Sequence, residues 1–196
     1  MIRTKPFERV FLECIVMIIL TIVPAQVLAK DDIDRNGFVF GAWTGYGSLD
    51  YHPVNFPENR YDALAIGFKG GYALTPSVVF GLEVNGWTLQ AGNLNDPAKG
   101  EGVGIASLFL NYFPITRLPL FVAGGGGYAF YNNNDPEFLG GPGDGKISWF
   151  VGIGYEIPIF RQIVLIPQLR YCQERFTQGN YDVYEAALGF SWYSGK

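Results

Sequence analysis

Hydrophobic and polar positions alternate with a period of two through Lys146–Ile157, KISWFVGIGYEI. Ile147, Trp149, Val151, Ile153, Tyr155 and Ile157 are large and apolar. Ser148, Gly152, Gly154 and Glu156 between them are small or polar, with Phe150 the exception. This pattern predicts a β-strand whose two faces meet different solvents. Trp149 and Tyr155 stand toward the ends of the apolar face, with aliphatics between them. That is the banding of a strand crossing a bilayer with aromatic rings at the headgroup levels. The twelve residues also suffice for a tilted strand, which spans hydrocarbon in roughly 9–11.

Seven more stretches follow the same rule. Strands are expected over Gly37–Gly47, Tyr61–Tyr72, Val78–Leu89, Gly104–Phe113, Leu120–Tyr131, Ile163–Phe176 and Asp182–Tyr193. Between them lie turn-forming residues: loops at Ser48–Arg60, Gln90–Glu101 and Asn132–Gly145, turns at Thr75–Ser77, Pro114–Pro119 and Pro158–Gln162, and a brief loop at Thr177–Tyr181. No capped helical pattern follows residue 29. The fold class is therefore all-β, an eight-stranded antiparallel up-and-down transmembrane barrel. An open sheet cannot satisfy its edges in lipid. Long connections alternate with short ones, as in outer-membrane barrels with short periplasmic turns, and the even strand count places both termini in the periplasm.

Charge sharpens the assignment of faces. Lys69, Glu83, Glu156, Arg170, Glu174 and Glu185 all lie opposite the large apolar side chains and are expected in the barrel interior. A lipid-facing charge at the midplane would cost roughly 2–4 kcal/mol. Arg175 has the apolar parity but stands near a strand end, at headgroup depth. A symmetric turn at Pro76 sets Lys69 opposite Glu83, so these two are expected to pair; Arg170 is expected to neutralise Glu174 or Glu185. Tyr72, Tyr112, Trp149, Tyr155, Tyr184 and Trp192 are the expected lipid-interface aromatics.

Residues 1–29 read as a signal peptide. Arg3, Lys5 and Arg9 precede an apolar run from Ile15 to Val23, with a cleavage site after Ala29. The run is too short for a membrane helix. Residues 30–36 form a polar periplasmic lead, 37–193 the barrel and 194–196 a short tail. Removing the leader takes away three basic and two acidic residues, so the formal charge moves from −4 to −5. An acidic chain without a basic patch argues against nucleic acid as a partner. Cys172 alone remains, which excludes an internal disulfide and reads as a small buried side chain.

The stretches FVAGGGGYAFY (Phe121–Tyr131) and ASLFLNYF (Ala106–Phe113), with Leu188, Phe190 and Trp192 of the last strand, carry a resemblance. The chain resembles the eight-stranded outer-membrane β-barrels, the group of the OmpA transmembrane domain and OmpX-like proteins, over about Gly37–Tyr193. The resemblance implies residence in the bacterial outer membrane. It implies contact with membrane lipid and lipopolysaccharide, and assembly by the barrel-assembly machinery. Family members typically end on an aromatic residue; here Tyr193-Ser194-Gly195-Lys196 follows Trp192, so that signal is offset. The fold hosts many roles.

Candidate chemistry is sparse. Gly124–Gly127 sits inside an aromatic strand and lacks the following helix of a phosphate loop. His52, the only histidine, has Asp50 and Ser48 nearby on the expected first loop, but Val54 occupies the position where a lipid A deacylase pattern would carry serine. The reading is a solvated loop histidine, with no catalytic residue. Asp135, Glu137 and Asp144 have no calcium-loop spacing and read as a solvated acidic loop. No cofactor or metal site emerges. The loop aromatics Tyr51, Phe56 and Phe138 are candidates for adhesive or lipid contacts.

A non-enzymatic membrane protein with a structural or surface-interaction role is the leading expectation. A lipid-modifying barrel enzyme, a narrow channel and a soluble periplasmic binding barrel are the alternatives. An eight-stranded interior is only wide enough for side chains to fill it, which predicts no wide pore.

Overall fold

The computed structural model describes residues 33–54, 59–90, 101–115, 118–133 and 144–195. The expected signal peptide lies outside these residues, as do Phe56, Asp135, Glu137 and Phe138. The strands are β1 (Gly37–Pro53), β2 (Asn59–Thr75), β3 (Val78–Gln90), β4 (Glu101–Tyr112) and β5 (Leu120–Asn133), followed by β6 (Ile147–Tyr155), β7 (Ile157–Phe160), β8 (Ile163–Arg175) and β9 (Gly179–Tyr193). Each pairs antiparallel with its neighbour, and β1 pairs with β9. β6 and β7 both pair with β8 and occupy one position in the ring, interrupted at Glu156. The result is a closed eight-stranded barrel with no free sheet edge.

The expected pattern of faces is realised. Leu64, Ile66, Phe68, Leu82, Val84, Leu108, Leu110, Val122, Val151, Ile153, Leu188 and Phe190 are exposed around the outer wall. So continuous an apolar surface excludes a water-soluble barrel. Charged and small residues turn inward among Trp43, Trp87, Phe109, Phe121 and Phe150, all buried. The barrel is inside-out relative to a soluble protein, and only lipid is a suitable outer solvent.

Strand boundaries differ from expectation in a consistent direction: several strands are longer. Ser48–Pro53 and Asn59–Arg60 were expected as loop but continue the ladder. Leu49 pairs with Tyr61 and Asp50 with Arg60 on one side, while His52 pairs with Asn180 and Pro53 with Gly179 on the other. With a partner on each side, polar residues stay extended. Likewise β9 begins at Gly179, because Phe176 N–H donates to the Gly179 carbonyl in a tight turn (2.9 Å).

The sixth transmembrane strand departs in the other direction. It was expected unbroken from Lys146 to Ile157, but its alternation stops after Ile153. Gly154, Tyr155 and Glu156 are buried in succession. Tyr155 is therefore not a lipid-facing ring: it is 5% exposed. The irregularity at Glu156, whose N–H donates to the Pro119 carbonyl (2.8 Å), turns the ring into the wall.

Glycine in β5 has two different roles. A Cβ on Gly125 or Gly127 would collide with the carbonyls of Leu108 and Ala106. On Gly124 and Gly126, which alternate to the outer face, the nearest atom would be 3.7 and 3.6 Å away. Close approach of neighbouring backbone requires the inner glycines only.

Candidate functional site

Among the described residues, the lumen is packed with aromatic side chains at both ends and crossed by charge between. At the end carrying both termini, Arg35 of the lead segment folds under the barrel and is 5% exposed. Its Nε donates to Glu156 Oε2 (2.6 Å), and its guanidinium lies 4.0 Å from the centre of the Phe113 ring. Tyr193 O–H donates to the other oxygen of Glu156. Phe113 and Phe121 pack against each other (5.4 Å between centroids). Ile33 packs onto the same core. Arg35, within the stretch read as a polar periplasmic lead, is thus part of this mouth.

Phe176 and Tyr181, both buried, lie toward the opposite mouth. Their rings meet edge to face at 5.8 Å, and Tyr51 stacks on Tyr181 at 4.6 Å. Tyr51, expected on an outer loop, is thus part of the wall of this mouth.

In the middle, Arg170 Nη2 donates to Glu83 across the lumen, forming an ion pair. The guanidinium lies 5.0 Å from the ring centre of Trp43 and 4.3 Å from that of Phe150. Cationic faces and π-faces attract strongly where water is excluded. Glu185 accepts from Trp43 Nε1 (3.1 Å) and from Asn85 Nδ2 (2.7 Å). Glu174 is fully buried, and neither of its carboxylate oxygens has a hydrogen-bond partner.

The register expectations hold, but the contacts differ. Lys69 faces Glu83 in the ladder, and Arg170 faces Glu185. Yet the ion pair of Glu83 is with Arg170, and Lys69 Nζ lies 5.9 Å from the centre of the Phe109 ring. Arginine is long enough to span a narrow lumen, and its planar fork gains both a carboxylate and two ring faces. Arg170 therefore does not form its ion pair with Glu174 or Glu185. Periodicity could locate these groups on the inner face but not their partners. Trp43, Tyr193 and Arg35 were missing from the expected charge set, and no local signal in the sequence marks Arg35.

A second polar cluster lies on the outer wall, at the end opposite the termini. His52 Nε2 is 3.3 Å from Asp182 Oδ2. Tyr171 O–H donates to Asp182 Oδ1 (2.8 Å), as does Gln173 Nε2 (3.2 Å). His52 is thus a strand residue with an acidic neighbour, not a loop histidine in solvent. Arg60 Nε donates to Ser48 Oγ (2.8 Å) and lies 3.3 Å from Asp50 Oδ1. Ser48 is buried. The rings of Trp149, Tyr171 and Tyr184 form a contiguous group, with centroids 5.4 and 5.1 Å apart. Tyr72, Tyr112, Tyr184 and Trp192 are exposed on the outer surface. Trp149 is half-buried, and its indole N–H donates to Gln173 (3.2 Å). Exposed Arg175 donates from Nε and Nη2 to the same Gln173 oxygen (3.1 and 2.9 Å).

No protein-family model matches the sequence, and no curated protein does. Solved structures do match. Neisserial surface protein A is 13% identical over 78% of this chain and 96% of its own, with a TM-score of 0.53. The outer membrane protein AlkL, solved in lipid bilayers, is 16% identical over 84% of this chain and 93% of its own, with a TM-score of 0.50. At these identities the likeness is one of architecture, and with the apolar outer wall it fixes the class: the chain has the fold of the eight-stranded outer-membrane β-barrels.

Proposed function

We propose that this protein is a non-enzymatic resident of the bacterial outer membrane, acting as a structural element or through surface contacts of the connections at the end opposite its termini. One observation carries the reading: among the described residues, the lumen is packed with Arg35, Phe113 and Phe121 at one end and with Phe176 and Tyr181 at the other. Between these ends, the Glu83–Arg170 pair is packed against two aromatic rings. Among the described residues, side chains fill the narrow lumen, so what the barrel offers is its outside. The likeness to a Neisserial surface protein supports an outward-facing role. Tyr72, Tyr112, Trp149, Tyr184 and Trp192 would sit against lipid headgroups, with lipopolysaccharide in the outer leaflet. Assembly would be by the barrel-assembly machinery.

The test is to refold the full chain into vesicles and record across planar bilayers while profiling the lipids by mass spectrometry. The expected result is no conductance steps and no altered lipid. Regular steps would establish a channel instead.

One observation favours a second reading, a lipid-modifying enzyme: Asp182 stands where an acid would orient His52. Against it, Ser48, the serine weighed for the role of nucleophile, is buried and hydrogen-bonded to Arg60. Remodelled lipid that disappears with His52→Ala would establish this reading.

A further inference from the structure

Two cations at the end opposite the termini are left over by the barrel's own ion pairs, and they are neighbours. Arg175 and Lys146 are both exposed. Among the described residues neither has an acidic partner, whereas Arg60 at the same end lies 3.3 Å from Asp50 Oδ1. Gly145 pairs with Phe176, and Trp149 with Gln173. Between those pairs, residues 146–148 stand against residues 174–175, so β6 enters through a β-bulge. There the Lys146 N–H donates to the Arg175 carbonyl (2.8 Å), which holds the two residues side by side.

The Arg175 guanidinium is fixed in place. Its Nε and Nη2 converge on Gln173 Oε1, and the Trp149 indole N–H donates to that same oxygen (3.2 Å). Gln173 is anchored in turn by Asp182, whose Oδ1 accepts from Gln173 Nε2 and from Tyr171 O–H. Because Gln173 is neutral, it orients the guanidinium without cancelling its charge. The Nη1 donors stay unused among the described residues. Trp149, Tyr171 and Tyr184 form a continuous aromatic ledge on the outer wall. Arg175 lies two residues beyond Gln173, the ladder partner of Trp149. On a tilted strand that sets it about 5 Å farther from the membrane midplane than the indole.

We propose that Arg175, with Lys146 beside it, binds a phosphate group of lipopolysaccharide, whose acyl region lies against Trp149, Tyr171 and Tyr184. This rests on the outer-membrane reading above. A fixed guanidinium one step outside a ledge of interfacial rings fits an amphiphile with its anionic group just beyond its acyl chains. A guanidinium edge engages phosphate oxygens in pairs. The lipid class follows from position, because the end opposite the termini meets the outer leaflet.

The test titrates the full chain, refolded in nonionic detergent, with lipopolysaccharide and counts bound lipid by native mass spectrometry. The expected result is one saturable site, with Arg175→Gln about tenfold weaker and Lys146→Gln weaker to a smaller extent. Arg60→Gln, whose cation is already paired, should bind like the wild type. Lipopolysaccharide stripped of its phosphates should bind the wild type as weakly as the intact lipid binds Arg175→Gln. Equal affinity of wild type and Arg175→Gln, or full affinity for the stripped lipid, would overturn the proposal. An equal loss in Arg60→Gln would overturn it in favour of general charge attraction. Equally tight binding of phosphatidylglycerol would overturn it in favour of any anionic lipid. A chain that fails to enter phosphatidylcholine vesicles, seen as no heat-dependent gel migration, would instead overturn the membrane reading itself.

Discussion

Glu83 on β3 and Arg170 on β8 form an ion pair across the lumen although each faces a different charged residue in its own ladder. The pair is buried and the guanidinium is flanked by Trp43 and Phe150. Removing one partner leaves the other charged in a dry interior. Glu83→Gln or Arg170→Met alone should therefore cost about 3–5 kcal/mol, while the double variant should recover most of that loss. Urea unfolding in lipid vesicles, read by tryptophan fluorescence, measures all three. Equal losses in the single and double variants would show that the pair is not a coupled unit.

The outer wall should respond to charge by depth. Leu82 is exposed on the outer face in mid-strand. Leu82→Lys should destabilise the folded barrel in vesicles by roughly 2–4 kcal/mol. Thr88, exposed on the same face near the strand end, should tolerate Thr88→Lys at roughly 0–1 kcal/mol. Similar costs at both sites would place the hydrocarbon elsewhere on the wall.

Arg35 is buried against Glu156 and Phe113. A protease that cleaves after arginine should spare this bond in the folded protein. Glu156→Gln removes the charge that holds the side chain and should make Arg35 a cleavage site while the barrel remains intact. Mass spectrometry of the digested product identifies the cut. Cleavage after Arg35 in the wild type would mean that the lead does not occupy the mouth.

The inner and outer glycines of β5 should differ sharply. Gly127→Ala places a Cβ against the Ala106 carbonyl and should prevent barrel closure, seen as loss of heat-dependent gel migration. Gly126→Ala meets its nearest atom at 3.6 Å and should fold like the wild type. Equal behaviour would remove steric demand as the reason for the inner glycines.

Much of the fold was legible from the chain because facing solvent is a local property. Alternation in Val78–Val84 or Ala106–Tyr112 states which side chains meet lipid and which meet the lumen, whatever the partner strands. The inward placement of Glu83, Arg170, Glu174 and Glu185 follows from the same parity. So does the count of eight strands, with β6 and β7 sharing one. The polar stretch Ser48–Pro53 misled, because extended backbone there depends on ladder partners that no local pattern announces.

The sequence by itself determined the architecture and the two faces of its wall, because a period of two forces each side chain into one solvent or the other. Only the tertiary structure decided that Arg170 reaches Glu83, that Arg35 packs into a mouth, that Tyr155 turns into the wall and that the Glu174 oxygens are left without a hydrogen-bond partner. Those outcomes depend on which distant side chains share a narrow lumen and how far each can reach across it. They are set by closure of the ring, which brings together residues up to 156 positions apart.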